Sequence, residues 1–156
     1  YELIETTKQF TVAVDYAHTP DGVQAIIEAA RAVTAGRVVV VLGAGGDRDR
    51  TKRPAMGMAA STADRFVLTS DNPRSEPPEE IIADVQVGVA DSVALTIEPD
   101  RRQAIRLALE AASAGDTILV LGKGHEQGQE IAGLVLDFDD RAVVRDELAE
   151  MEKAPC

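Results

Sequence analysis

Apolar residues along this chain fall into two alternating kinds of segment. Residues 11–14, 38–42, 65–69, 93–97 and 117–121 are short runs dominated by β-branched and aliphatic side chains. Val38-Val39-Val40-Val41-Leu42 is apolar throughout, as a strand buried on both faces should be. Between the runs, apolar residues recur at helical spacing. After the first run come Val23, Ile26, Ile27, Ala30 and Val33, with Thr19 as a plausible N-cap, Pro20 at the first helical position and Ala35-Gly36 as the stop. A short helix is expected over residues 54–62. Another starts at Pro77-Pro78-Glu79-Glu80, with its acidic residues in the first turn and Ile81, Ile82, Val85 and Val89 on its apolar face. Asp100 caps a fourth around Ala104, Ile105, Ala108 and Leu109, and residues 140–150 form the last.

Strands alternating with helices at this spacing predict βαβ units: an α/β, three-layer fold with a mostly parallel sheet of about six strands and helices on both faces. Residues 129–131 and 134–136 are separated by a turn at Gly133, and the last short strand, arriving by that tight turn, could run antiparallel at an edge. No repeat or linker interrupts the pattern, so residues 1–156 are expected to form a single domain. Because the chain opens on Tyr1 rather than Met, it is expected to be part of a longer protein.

Composition narrows the partners. Aromatics make up only 3% and Trp is absent, so the core must be aliphatic. The net charge of −11 argues against nucleic acid or an anionic membrane as partner. No apolar run approaches the ~20 residues that span a bilayer. The single cysteine, Cys156, can neither staple the fold nor complete a metal site, which fits a reducing, cytoplasmic setting.

The unusual loops all follow strands. They are residues 15–21, 43–53, 71–74 and 122–126, which a parallel sheet gathers at its carboxyl edge, where open α/β sheets bind ligands. The loops at the other edge, near residues 35–36, 63–64 and 114–116, are chemically plain by comparison. Gly43-Ala44-Gly45-Gly46-Asp47-Arg48 begins like a dinucleotide fingerprint but has Arg48 where a glycine belongs, and no Gly-Lys-Ser/Thr completes a P-loop. Two loop histidines, His18 and His125, with scattered carboxylates do not make a metal site. Within Thr69-Ser70-Asp71-Asn72-Pro73-Arg74, Pro73 fixes its own φ and pushes Asn72 toward extended geometry, making a stiff arm. Read alone, it is a strand-ending turn whose arginine points into water. Placed beside Arg48 and Glu126 on the ligand edge, Arg74 and Arg48 with Asp71 and Glu126 would suit a zwitterion: guanidinium for carboxylate, acid for ammonium.

Four motifs in order carry a resemblance over roughly residues 10–148. They are Asp15-Tyr16-Ala17-His18-Thr19-Pro20; Gly46-Asp47-Arg48-Asp49 with Lys52-Arg53-Pro54; Asp71-Asn72-Pro73-Arg74; and Gly122-Lys123-Gly124-His125-Glu126. Together they resemble the C-terminal domain of the Mur ligases, in the branch that adds meso-diaminopimelate to UDP-MurNAc-L-Ala-D-Glu during peptidoglycan synthesis. The resemblance implies a Rossmann-like domain of a cytoplasmic, monomeric, ATP-dependent ligase whose N-terminal and central ATP-binding domains are absent from this chain. It implies that Arg48, Asp71, Asn72, Pro73, Arg74, Gly122 and Glu126 bind meso-diaminopimelate. It implies that Asp15, Tyr16 and His18 close over the nucleotide. ATP and Mg²⁺ would be held mainly by the missing central domain, so this chain would have no catalytic or metal-ligating residue and no activity alone. Gln127-Gly128 departs from the bulkier residues relatives often carry there, while Arg74 fits a ligand with a distal carboxylate. A non-catalytic amino-acid or nucleotide-binding module, and a folylpolyglutamate-type ligase domain, remain the alternatives.

Overall fold

Val38–Leu42 (β3) lies near the centre of the sheet, and every one of its five residues is buried. The computed structural model describes residues 1–153; Cys156 falls outside them. Along β3, Val38, Val40 and Leu42 enter one apolar cluster, and Val39 and Val41 enter another. The alternation that a continuous apolar run conceals therefore reappears as two cores, one on each face of the sheet.

Five strands run parallel: Thr11–Asp15 (β2), Thr117–Leu121 (β6), β3, Arg65–Leu68 (β4) and Ala94–Ile97 (β5). Glu2–Ile4 (β1) pairs antiparallel with β2, giving the order β1-β2-β6-β3-β4-β5. Pro20–Val33 (α1), Arg53–Ala60 (α2) and Pro78–Gln86 (α3) bury Val23, Ile27, Met56, Ile82 and Val85 on the first face. Arg101–Glu110 (α4) and Asp140–Lys153 (α5) bury Ile105, Leu109, Val144 and Leu148 on the second. This is the expected three-layer α/β architecture. The caps are also as expected: the Thr19 side chain accepts from Gly22 N, and Asp100 accepts from Gln103 N.

Two expectations need correction. The antiparallel edge strand is β1, not the last short strand. Gly128–Ile131 (β7) and Leu134–Asp137 (β8) form a separate two-stranded hairpin outside the main sheet. Its β7 strand meets the 71–74 arm instead, through Arg74 N to Glu130 O (2.8 Å) and Ala132 N to Arg74 O (2.8 Å). The amino-edge loops are not plain either. Asp116, 2% exposed, accepts from the backbone of Arg37 and Ser113 (2.8 Å each) and from the Arg37 guanidinium (3.0 Å), tying two turns together.

Candidate functional site

Parallel register brings the strand ends level. Asp15 lies opposite Leu121, and Leu42 opposite Leu68. The loops leaving β2, β3, β4 and β6 therefore open together at the carboxyl edge, as the sequence pattern predicts. A buried arginine fixes two of these ends. Arg101, at the start of α4, donates to the carbonyls of Ser70 (3.0 Å) and Leu121 (2.9 Å). Its charge is met by Asp140 of α5 at 2.6 Å, both side chains being fully buried.

The loops enclose a cavity of about 460 Å³. Its lining includes Arg48, Asp71, Asn72, Arg74, Gly122 and Glu126, together with Tyr16, His18 and Lys52. Six of the seven residues expected to hold the amino acid thus share one cavity. Pro73 is the exception: it is buried, and its carbonyl packs where a Cβ on Gly46 would sit. Its place is behind the wall, shaping the arm.

Asp71 is 8% exposed, and among the described residues its carboxylate receives no hydrogen bond. Burial pushes its carboxyl above the usual carboxylate range, against the opposing pull of Arg101 and Lys123. Gly122 makes room for that carboxylate: it has φ 108°, and a Cβ there would stand 2.6 Å from Asp71 Oδ2. Both ends of the Asn72 amide are engaged. Its Oδ1 accepts from Glu130 N (2.9 Å), and its Nδ2 donates to Glu126 Oε1 (3.4 Å).

Arg74 does not point loosely into water. The extended arm ends in a left-handed turn, with Arg74 at φ 54°. Its Nη1 donates to Gly46 O (2.9 Å), and its Nε pairs with Glu130 Oε2 at 3.3 Å. Among the described residues Nη2 meets no protein acceptor. Arg48 is exposed at the cavity, tethered among the described residues only by Nη1 to the carbonyl of Asp47 (2.9 Å).

Of the three residues expected near a nucleotide, Tyr16 and His18 line the cavity with ring centroids 4.5 Å apart, whereas Asp15 does not. Asp15 Oδ1 instead accepts from Ala17 N (2.8 Å), and its carbonyl accepts from Gly122 N (3.1 Å), joining two site loops. The start of α1 offers no phosphate cradle, since Pro20 lacks an N–H and Gly22 N is already capped. Among the described residues no group of three or more His, Cys, Asp or Glu could hold a metal ion. No described helix is long and apolar enough to cross a membrane.

Sequence reasoning missed three residues. Lys123 entered only as a member of the motif Gly122-Lys123-Gly124-His125-Glu126. It is fully buried, with Nζ bonded to Gly128 O and within 3.5 Å of both Asn72 Oδ1 and Glu126 Oε1, so it secures the cavity wall. Arg53, part of the Lys52-Arg53-Pro54 motif, is only 2% exposed. Arg101 carried no local signal, because its partner is 39 positions away.

A mostly parallel α/β sheet with helices on both faces and a mixed-charge cavity at its carboxyl edge defines a domain of the doubly wound class, in which that edge is where open sheets bind ligands. Residues 1–124 match the Mur ligase, glutamate ligase domain, and the chain belongs to that family. It is 50% identical over 155 residues to the UDP-N-acetylmuramoyl-L-alanyl-D-glutamate--2,6-diaminopimelate ligase of Caldanaerobacter subterraneus subsp. tengcongensis, covering 98% of this chain and 32% of that protein. It is 52% identical over 148 residues to the same-named ligase of Geobacillus thermodenitrificans, covering 93% and 30%. A solved structure of a ligase of that name superposes with a TM-score of 0.93 at 40% identity, covering 97% of this chain and 31% of the other. The chain thus spans about a third of the length of the relatives it matches.

Proposed function

We propose that this cavity binds meso-diaminopimelate, and that the chain is the C-terminal, amino-acid-binding domain of the cytoplasmic ligase that joins it to UDP-MurNAc-L-Ala-D-Glu. The observation that carries the reading is the pairing of signs within one cavity. Arg74 and Arg48 offer guanidinium to carboxylates, while Asp71 and Glu126 offer carboxylate to an ammonium. A diamino dicarboxylic acid presents both. The 40–52% identity to ligases named for that amino acid supports the same ligand.

On this reading the chain binds and orients, and does not activate. ATP with Mg²⁺, held mainly by domains outside this chain, supplies the phosphoryl group that activates the D-glutamyl γ-carboxylate. Arg74 and Arg48 fix the carboxylates of the incoming amino acid, and Asp71 with Glu126 holds one ammonium. The other amine is then free to attack the activated carbonyl, its approach set by contacts at the far end of the molecule. Tyr16 and His18 form one wall against the nucleotide when the domains close.

Calorimetry of the full-length enzyme with meso-diaminopimelate tests the reading, with Arg74→Lys as the perturbation. A lysine cannot reproduce the planar fork, so affinity should fall by about tenfold or more. Unchanged binding in that variant, or a bound ligand touching neither Arg74 nor Arg48, would sink the assignment.

A further inference from the structure

The two loops that present arginines to the cavity share an uncommon backbone. Three non-glycine described residues have positive φ: Asp47 and Arg74, at 54° each, and Ala132 at 52°. Asp47 immediately precedes Arg48, and Arg74 carries the second guanidinium itself. An L-residue with a Cβ adopts this conformation only where its surroundings impose it.

The constraint on Asp47 comes from the opposite loop. Its N–H donates to Glu76 Oε2 at 2.7 Å. Its carboxylate accepts from the Ser75 hydroxyl (2.5 Å) and from Ser75 N (3.2 Å). Glu76 is itself held by the buried Arg53, whose Nη2 and Nη1 reach Oε2 and Oε1 at 2.6 and 3.1 Å. Arg53 also reaches Gly45 O (3.1 Å) and Asp84 (3.0 Å), and Arg50 adds a second contact to Asp84 at 3.1 Å. Between the loops themselves, Gly46 N donates to Asn72 O (2.8 Å), and Arg74 Nη1 to Gly46 O (2.9 Å).

Every one of these bonds crosses from the loop after β3 to the segment after β4, or anchors a residue that does. Glu76 stands where the crossings meet, because a single oxygen, Oε2, accepts both from Asp47 N and from Arg53. None of this group is needed to hold the sheet together, which ends at Leu42 and Leu68.

We infer that Glu76 is a positioning residue for amino-acid recognition. With Arg53 and Asp47 it clasps the two arginine-bearing loops, fixing Arg48 relative to Arg74 and so setting the span between the two carboxylates the cavity accepts. This rests on the reading of the cavity as the diaminopimelate site. Glu76 touches no ligand in this scheme; it acts through the backbone that aims Arg48. Burial of Arg53 and its bidentate grip keep the clasp closed without the ligand. The hydrogen bonds from Arg53 and Asp47 hold the Glu76 carboxyl down at about 2, so it stays ionised across the range in which the enzyme can be assayed.

The test uses the full-length ligase, with steady-state KM measured separately for meso-diaminopimelate, ATP and the UDP-dipeptide. The variants are Glu76→Ala, Glu76→Gln, Asp47→Gly and Arg74→Lys. Asp47→Gly tolerates the positive φ but removes the carboxylate half of the clasp, so it reports on the clasp even if Glu76→Ala fails to fold. Glu76→Ala should raise KM for meso-diaminopimelate by about tenfold or more, leaving the other two KM values and kcat within about twofold. Glu76→Gln and Asp47→Gly should shift the same constant, by less. Equal rises in all three KM values, or a folded Glu76→Ala with unchanged KM while Arg74→Lys raises it, would overturn the clasp and leave the site reading standing. An unmoved KM in Arg74→Lys would overturn both.

Discussion

Asp71 gives the clearest quantitative test, because its two roles oppose each other. The residue is 8% exposed and lines the cavity, its carboxylate accepts no hydrogen bond among the described residues, and the two cations that pull on it are already committed elsewhere. Arg101 is engaged by Asp140 and two carbonyls, and Lys123 by Gly128 O. A buried polar group without a partner costs about 1–3 kcal/mol, and more when charged. The attraction of Arg101 and Lys123 offsets part of this, leaving a net cost of about 1–2 kcal/mol at neutral pH. Asp71→Asn keeps the shape and removes the charge, so it should stabilise the folded chain by that amount. For a chain of this size that is a rise in Tm of about 2–6 °C. The pH dependence has a definite sign. Because the folded-state pKa is raised, the stability linked to this group is fully present below the ordinary carboxylate value of about 4 and is lost as pH rises through the raised value. The advantage of Asp71→Asn should therefore be largest near pH 8 and shrink on acidification. Differential scanning calorimetry of both chains from about pH 4 to about pH 8 measures it directly. A variant no more stable at the alkaline end, or a gap that widens as pH falls, would refute the reasoning. The same substitution should cost the full-length ligase most of its affinity for the diamino acid, since an amide cannot answer an ammonium as a carboxylate does.

Other substitutions probe the frame around the cavity. Asp140→Asn strands the buried Arg101 guanidinium and should destabilise the fold by about 3–5 kcal/mol, seen as a lower midpoint in urea. Adding Arg101→Met to it should recover much of that loss, and a strictly additive double mutant would show that the two residues do not interact. Gly122→Ala should drive the Asp71 carboxylate out of place and strain the backbone by at least about 1 kcal/mol. Its signature is a raised KM for the diamino acid together with a lowered Tm.

Most of the frame was legible because it is local and repetitive. Val38–Leu42, the caps at Thr19 and Asp100, and the apolar stripes of the helices each announce themselves within a few residues. The gathering of four loops at one edge then follows from parallel pairing. Glu2–Ile4 escaped notice because three residues are too few for a periodic signal. The hairpin was misassigned because the pattern at residues 128–137 announces two strands but not what they pair with; β7 meets the 71–74 arm, not the sheet. The deepest omissions were long-range. Arg101 with Asp140, Arg53 with Glu76, and Lys123 with Gly128 O are charges whose partners lie elsewhere in sequence or in the backbone. In the sequence such residues look like surface charge. Only the fold reveals them as interior fastenings.

The bond from Arg101 to Asp140 also says something about time. Ser70 and Leu121, the carbonyls that Arg101 holds, lead directly into the arm at Asp71 and the loop at Gly122. The guanidinium can sit between them at little cost only once its counter-charge arrives, and that comes from the first residue of the last helix. On a ribosome the sheet strands and four helices emerge before Asp140 does. A chain halted short of α5 would therefore lack both half of its second helical layer and the counter-charge that sets the two loop ends in place.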